Sequence, residues 1–487
     1  MMFMPYETGT YYDEMLEPGG TPKIHYEAVY RALHRLSADE LRRKHETAQL
    51  RFLRQGVTFT VYSDNSGTER TMPFDPIPII VPASPWSRIE RGMIQRVTAL
   101  NLFLDDVYGD QHIVRDGIVP SRLVTGNPSY YSGPAVSAGS PKGSRIFLAG
   151  IDLIRDERGE YRVLEDNLRN PSGISYVYQN RSVMRQAFPE LFRRQSVLSL
   201  DRQLGILHET MLSHAPLRHY GASGPRAVLL TPGPYNSAYY DHVFLAQQMG
   251  IELVEGRDLV VLDHVVYEKT IRGLQRVDIV YRRIDDDFLD PLAFRPDSML
   301  GVPGLLEAFR RGNVAILNGI GNGVADHKGV YAYVPDMIRY YLNEEPLIPN
   351  VPTYLLDDPE QRDYVFRHID RLVVKNVGAS GGYDMLIGPH ASEEEIERFC
   401  IKIRANPGQY IAQPTVKLSR APSYHNDRVY PCHIDLRVFV MHGESTHVLP
   451  GGLSRVALKE GSLVVNSSQG GGGKDTWVLS ERGNRVC

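Results

Sequence analysis

The stretch GIDLIRDERGEYRVLEDNLRNPSG, Gly150–Gly173, reads as a β-hairpin. IDLIR and YRVLE are strand-like runs, and DERG (Asp156–Gly159) between them has turn chemistry. If Arg155 pairs with Glu160, Asp152 stands opposite Val163, and the period of two sets Asp152, Val163, Glu165 and Asn167 on one sheet face. Two carboxylates and an amide oxygen on one face make a hard-oxygen site suited to Mg2+, which takes one or two carboxylates and completes its shell with phosphate oxygens. The same residues also suit an exposed acidic hairpin that binds nothing.

Far downstream, VVKNVGASGGYDM (Val373–Met385) has a strand that ends in Lys375, followed by Gly378-Ala379-Ser380-Gly381-Gly382. Small residues let backbone N–H groups approach phosphate oxygens, and a lysine at the strand end adds charge. A glycine-rich hairpin with an exposed lysine fits the pattern equally. Only ten of the 54 Lys+Arg residues are lysine, so each lysine invites inspection. Genomic codon bias accounts for most of that skew, but lysine keeps an advantage where a compact charge must reach a phosphate. GGGGKDT (Gly470–Thr476) is no P-loop, because Asp475 follows Lys474 and Ser468 stands where the first glycine belongs.

Working outward, Ile24–Gln55 is predicted helical, with Ser37 and Glu40 as a capping box and Gly56 as the stop. PFDPIPIIVPASP (Pro73–Pro85) has too many prolines for a helix or central strand and reads as an extended connector. From Arg226 the pattern turns α/β. RAVLLT, IELVEG, VDIVY and VAILN are strands, and Ser237–Met249 is a helix, which implies a Rossmann-like parallel layer. A third region from Gly319 holds LVVK, a helix capped by Ser392 and Glu395, QYIAQ and IDLRVFV.

The hairpin resembles the metal-binding end of ATP-grasp enzymes, where an Asp precedes Glu-x-Asn on the next strand. In those enzymes it follows the lysine and glycine-rich loop, whereas here it precedes them. That order is similar to the circularly permuted ATP-grasp family, whose bacterial members are often labelled glutathionylspermidine synthase and whose layout is like that of eukaryotic glutathione synthetase. The resemblance implies an α/β fold with α+β elements. Residues 1–72 would be a helical segment, 73–220 the permuted metal-binding part, 221–318 a Rossmann-like pre-ATP-grasp domain and 319–487 the ATP-binding part. It further implies ATP and Mg2+, with Asp152, Glu165 and Asn167 as metal ligands. Lys328 and Lys375 would lie on phosphate, Gly378 to Gly382 would cover the phosphates, and Gln413 would lie at the adenine hinge. Arg437 and Arg455 would serve the transferred phosphoryl group, with Lys375. The family often has an arginine just before the metal-binding Asp. Gly150-Ile151 occupies that place here, and Arg169 is one candidate to replace it.

The implied reaction is an ATP-dependent carboxylate–amine ligation through an acyl phosphate, with a small-molecule or peptide carboxylate and an amine as partners. A phosphotransferase, or a nucleotide-binding subunit without turnover, would use the same site. Substrate contacts are expected from Arg169 and Ser172, from Tyr235 and Asn236 after the first α/β strand, and from Arg282, Arg283 and Asp285 in YRRIDDD. YRRIDDD also suits a salt-bridged solvated edge. No Ser/His/Asp or Cys/His arrangement is present, and the three cysteines all lie beyond residue 399, so no N-terminal cysteine amidase half is expected. Net charge −4 gives no global attraction for nucleic acid or anionic membrane. No apolar run approaches the roughly 20 residues of a membrane span. The start MMFMPYETGTYYDEM has no basic region of a secretory signal, so a cytoplasmic protein is expected.

Overall fold

The structure, a computed structural model, describes residues 6–63, 66–132, 144–193, 195–218, 220, 224–378, 384–458, 465 and 471–481. Its centre is a mixed sheet in the order Phe74–Val81, Gly472–Val478, Leu453–Val456, Arg428–His442, Leu148–Arg155, Tyr161–Asn167; Arg420–His425 and Thr446–Val448 also pair with Arg428–His442. The Gly150–Gly173 hairpin therefore joins strands from the far end of the chain. Arg437 stands opposite Asp152, and Asp435 opposite Arg455.

Beneath the hairpin runs the helix Ala83–Val107. Its Ile89, Met93, Val97, Leu100, Leu104 and Val107 are buried at helical spacing. Arg96 on this helix forms a bidentate pair with Asp166 at 2.6 Å, so the side of the hairpin facing away from Asp152 is held as well as packed. The 25-residue run lies within a stretch whose sequence reading names no helix.

Two smaller sheets flank this centre. Ala315–Leu317, Ile279–Arg282, Ala227–Leu230 and Glu252–Val254 form the expected parallel layer, and the helix Tyr239–Met249 ends at Gly250 with φ 65°. Tyr354–Leu355, Tyr410–Pro414, Leu372–Asn376 and Met385–Ile387 form an antiparallel sheet that carries Lys375 and Gln413. This sheet has a core of its own, built from Leu356, Val365, Val374, Leu386, Ile403 and Ala412. The capping box at Ser392 and Glu395 starts the helix Glu393–Ala405 that covers it.

Three readings need correction. Phe74–Val81 is not a connector but a fully buried strand, parallel to Gly472–Val478. It ends the sheet, where Pro76 and Pro78 leave no inner ladder incomplete. Ile24–Gln55 is two helices, Glu27–His34 and Ala38–Arg54; the Ser37–Glu40 box starts the second. Residues 1–72 are also not all helical, since Thr58–Ser63 and Ser66–Thr71 pair as a hairpin. Among the described residues no helix is long and apolar enough to cross a membrane.

Candidate active site

The hairpin register differs from the simple expectation. Arg155 pairs with Tyr161 and Leu153 with Val163, but Asp152 pairs with Glu165, so Leu164 is an extra residue in the second strand. This β-bulge re-aims the residues after it. Val163 is buried in the core beside Leu153, on the opposite face from the one expected. Asp152, Glu165 and Asn167 line one cavity, together with Leu164. The Asn167 amide nitrogen donates to the Gly150 carbonyl at 3.2 Å, which leaves its oxygen as the ligating end.

Two arginines close on Asp152. Arg437 donates through Nε (2.6 Å) and Nη2 (2.8 Å), and Arg455 through Nη2 (2.8 Å). Arg455 also forms a bidentate pair with Asp435. All four residues project from one face of three adjacent strands. Burial alone would raise the Asp152 carboxyl, but the Arg437 and Arg455 guanidiniums outweigh it and hold the group at about 2. At Asp435 burial prevails and pushes the carboxyl up. Asp435 is absent from the sequence reading, although its period-two spacing to Arg437 places it on the same face.

Across the cavity, Lys328 Nζ lies 3.3 Å from Glu165 Oε1. His327, between Asp326 and Lys328, caps the next turn by accepting the Gly329 N–H at 3.1 Å, which leaves Lys328 to point inward. Lys375 Nζ donates to Gln413 Oε1 at 2.8 Å, and Gln413 Nε2 donates to Thr353 Oγ1 at 3.0 Å. Burial pushes the Lys375 ammonium down to about 8, with Lys328 acting the same way and Glu165 opposing both. The Gly378 N–H donates to Asn376 Oδ1. Ala379, Ser380, Gly381 and Gly382 lie outside the described residues.

The third wall comes from the parallel layer and the hairpin's exit. Asn236, Ser172, Arg169, Arg283 and Asp285 all line the cavity. Arg169 is held by Asp326 at 2.7 Å, and Asp326 also accepts the Leu168 N–H. Arg283 is buried, donates to the Pro171 carbonyl at 2.8 Å and lies 3.6 Å from Asp241. Two expected substrate residues lie elsewhere. Arg282 is fully buried and saturated by the carbonyls of Asn318, Ile284 and Gly319 and by Asp286. Adjacent strand residues point to opposite faces, so only one of the arginine pair can reach the cavity. Tyr235 is 87% exposed and not part of the lining, its neighbour Asn236 taking the inward place. Lys474 is likewise removed from the site, buried against Asp75 at 2.8 Å and two backbone carbonyls.

The cavity encloses about 770 Å³, enough for a nucleotide and a second ligand. Four cations (Lys328, Lys375, Arg437, Arg455) face three carboxylates (Asp152, Glu165, Asp435), so the floor favours a polyanion. Among the described residues no group of three or more His, Cys, Asp and Glu forms a metal cage. A magnesium ion that shares its shell with phosphate needs no such cage, and the hard oxygens of Glu165 and Asn167 fit that demand.

The sequence model of the circularly permuted ATP-grasp type 2 family matches residues 78–457. An uncharacterized protein of Synechocystis sp. is 52% identical over 98% of this chain and 99% of its own. One from Mycobacterium tuberculosis is 49% identical over 98% of this chain and 85% of its own. A Frankia casuarinae protein, provisionally named glutamate–cysteine ligase 2-2, is 44% identical over 96% of this chain, and the match covers 54% of that protein. Among solved structures, a glutathione synthetase-like effector from Globodera pallida in its apo form aligns over 91% of this chain and 98% of that one, with TM-score 0.57 at 13% identity, a likeness of fold.

Proposed function

The chain belongs to the circularly permuted ATP-grasp family and is an ATP-dependent C–N ligase, and from that premise we propose that it joins a carboxylate to an amine through an acyl phosphate. The observation that carries this reading is the single cavity in which Lys328, Lys375, Arg437 and Arg455 face the polar wall of Asn236, Arg283 and Asp285. A substrate carboxylate oxygen attacks the γ-phosphorus of ATP as the bond to ADP breaks. The amine nitrogen then attacks the acyl carbon, the C–N bond forms, phosphate leaves and the amine gives up a proton. Lys375 and Lys328 would bind phosphate oxygens, and Arg437 and Arg455 would offset the charge that develops on the transferred group. Glu165 and Asn167 would hold Mg2+, which supplies Lewis-acid charge neutralisation when bound. Gln413, tied to Lys375 and Thr353, would read the adenine edge, and Gly378 opens the segment that would cover the phosphates.

The finer reading is glutathionylspermidine-synthase-like, a peptide carboxylate joined to a polyamine. Arg283 would receive a carboxylate and Asp285, half-exposed at the rim, a cationic amine. The Frankia relative adds glutamate and cysteine to the candidates, although that name covers a chain almost twice the matched length. Hydroxylamine trapping tests the proposal. With ATP, Mg2+ and a panel of amino acids and peptide acids, at least one acid should give a hydroxamate together with ADP. A stable phosphorylated product formed without any amine would instead select a phosphotransferase. No acid-dependent ADP release across the panel would refute ligation.

A further inference from the structure

The third wall of the cavity has an apolar lip that the polar contacts above leave unused. Ile284, Phe288, Leu300 and Pro232 all line the cavity. Ile284 belongs to the main core, and Phe288 and Leu300 are half-buried and pack against it. The loop before Gly304 is built to hold Leu300 in this place. Ser298 Oγ donates to the Phe288 carbonyl at 2.8 Å, and the Val302 N–H donates to the Leu289 carbonyl at 2.9 Å. At Gly301 a Cβ would lie 2.1 Å from the Phe288 carbonyl oxygen and 2.3 Å from that of Leu289. Only glycine therefore lets the loop close on the short helix Asp286–Leu289. Met299, next to Leu300, is 90% exposed and outside the lining, so one of two adjacent apolar side chains is turned inward.

The charge beside the lip says which substrate it serves. Asp285 stands between Ile284 and Phe288 in the chain and lines the same cavity, with its side chain 53% exposed. Asn170 Nδ2 donates to Asp285 Oδ1 at 3.0 Å, and Arg169 Nη1 lies 3.6 Å from the same oxygen. Oδ2 accepts no hydrogen bond from a described residue, which leaves it for an ammonium. A carboxylate would be repelled there, so hydrocarbon that reaches the lip past Asp285 follows a cationic nitrogen. We propose that Ile284, Phe288 and Leu300 form the subsite for the hydrocarbon part of the amine substrate. The nucleophile is then a primary amine with an unbranched apolar run of about three to five carbons, roughly the reach from Asp285 to a residue three positions on. This rests on the ligase reading above and narrows its amine; the polymethylene chain of a polyamine meets the condition, and ammonia does not.

The test uses the full chain with ATP, Mg2+ and an acid that yields a hydroxamate, and runs straight-chain primary amines from ethylamine to pentylamine. Amine kcat/KM should rise about three- to fourfold per added methylene, the scale of burying a CH2 group. In Leu300→Ala the ratio of pentylamine to ethylamine kcat/KM should fall at least about fivefold. A loss of folded protein cancels in that ratio. Met299→Ala, on the exposed neighbour, should keep the parent's ratio. Leu300→Phe fills the lip and should move the preference to shorter amines. Should the Leu300 variants fail to fold, the parent series decides alone. Hydroxamate formation with no gain from amine length would overturn the subsite and leave ligation standing. A gain that follows the length of the acid, and that Leu300→Ala removes, would give the lip to the acid and overturn the assignment. No hydroxamate from any acid would overturn the ligation reading and this subsite with it.

Discussion

Lys375 and Gln413 meet at 2.8 Å from adjacent antiparallel strands, diagonally and two residues off direct register, since Lys375 stands opposite Ile411. The contact ties the residue expected on the phosphates to the one expected at the base. It also gives the half-buried ammonium a neutral hydrogen-bond acceptor.

That ammonium gives a pH signature. Burial holds Lys375 at about 8, and phosphate nearby would favour the charged form and raise it again. Nucleotide affinity should therefore be highest below about pH 8 and fall about tenfold between pH 7 and 9. Binding at pH 8 should take up about half a proton, detected by calorimetry in buffers of different ionisation enthalpy. The contribution to stability runs the other way. The unfolded lysine titrates near about 10.4, so between about 8 and 10.4 the unfolded chain holds more protons and this group adds stability as pH rises. Lys375→Ala should lose both effects and weaken ATP binding; unchanged ATP affinity would remove Lys375 from the phosphates.

Glu165→Gln should abolish Mg2+-dependent turnover, with a fall of at least about 100-fold, while leaving the fold intact. Its pair with Lys328 is partly exposed, so the stability change should stay within about 1 kcal/mol. Because Glu165 supports the charged form of Lys375, the variant should also shift the pH profile of nucleotide binding downward. Turnover close to the parent's would exclude a metal at this position.

Local patterns made much of this molecule legible. The hairpin, the lysine strand and the parallel layer follow from period two and turn residues, and the boxes at Ser37 and Ser392 mark helix starts within four residues of sequence. The features that stayed hidden depend on partners far along the chain. Phe74–Val81 becomes a strand through Gly472–Val478, near the other end. The bulge at Leu164 arises because Val163 must enter the core while Glu165 faces the cavity, a conflict that strict alternation cannot satisfy. Asp435 in IDLRVFV acquires meaning only when Arg455 is placed opposite it.

The adjacent arginines of YRRIDDD should separate cleanly. Arg282→Lys leaves buried carbonyls at Asn318, Ile284 and Gly319 without the donor fork that satisfies them. It should cost about 2–4 kcal/mol, read as a lower melting temperature with substrate KM unchanged in the folded fraction. Arg283→Lys should raise the KM for the acid substrate at least about tenfold and keep nucleotide affinity within about twofold. The reverse pattern would exchange the two roles.

Lys474 tests the rejection of a P-loop. Its ammonium is fully buried against Asp75 and the carbonyls of Ile77 and Pro422, inside a strand with every residue buried. Lys474→Met should strand the Asp75 charge and cost about 3–5 kcal/mol, seen as a marked drop in melting temperature. Adding Asp75→Asn should recover part of the loss. The recovery should be incomplete, because Asp75 also accepts the N–H groups of Ile77 and Tyr424, and an amide oxygen serves them less strongly than a carboxylate. Nucleotide affinity of the folded protein should stay within about twofold in both variants. A well-folded Lys474→Met protein with nucleotide binding weakened tenfold or more would return this lysine to the phosphates.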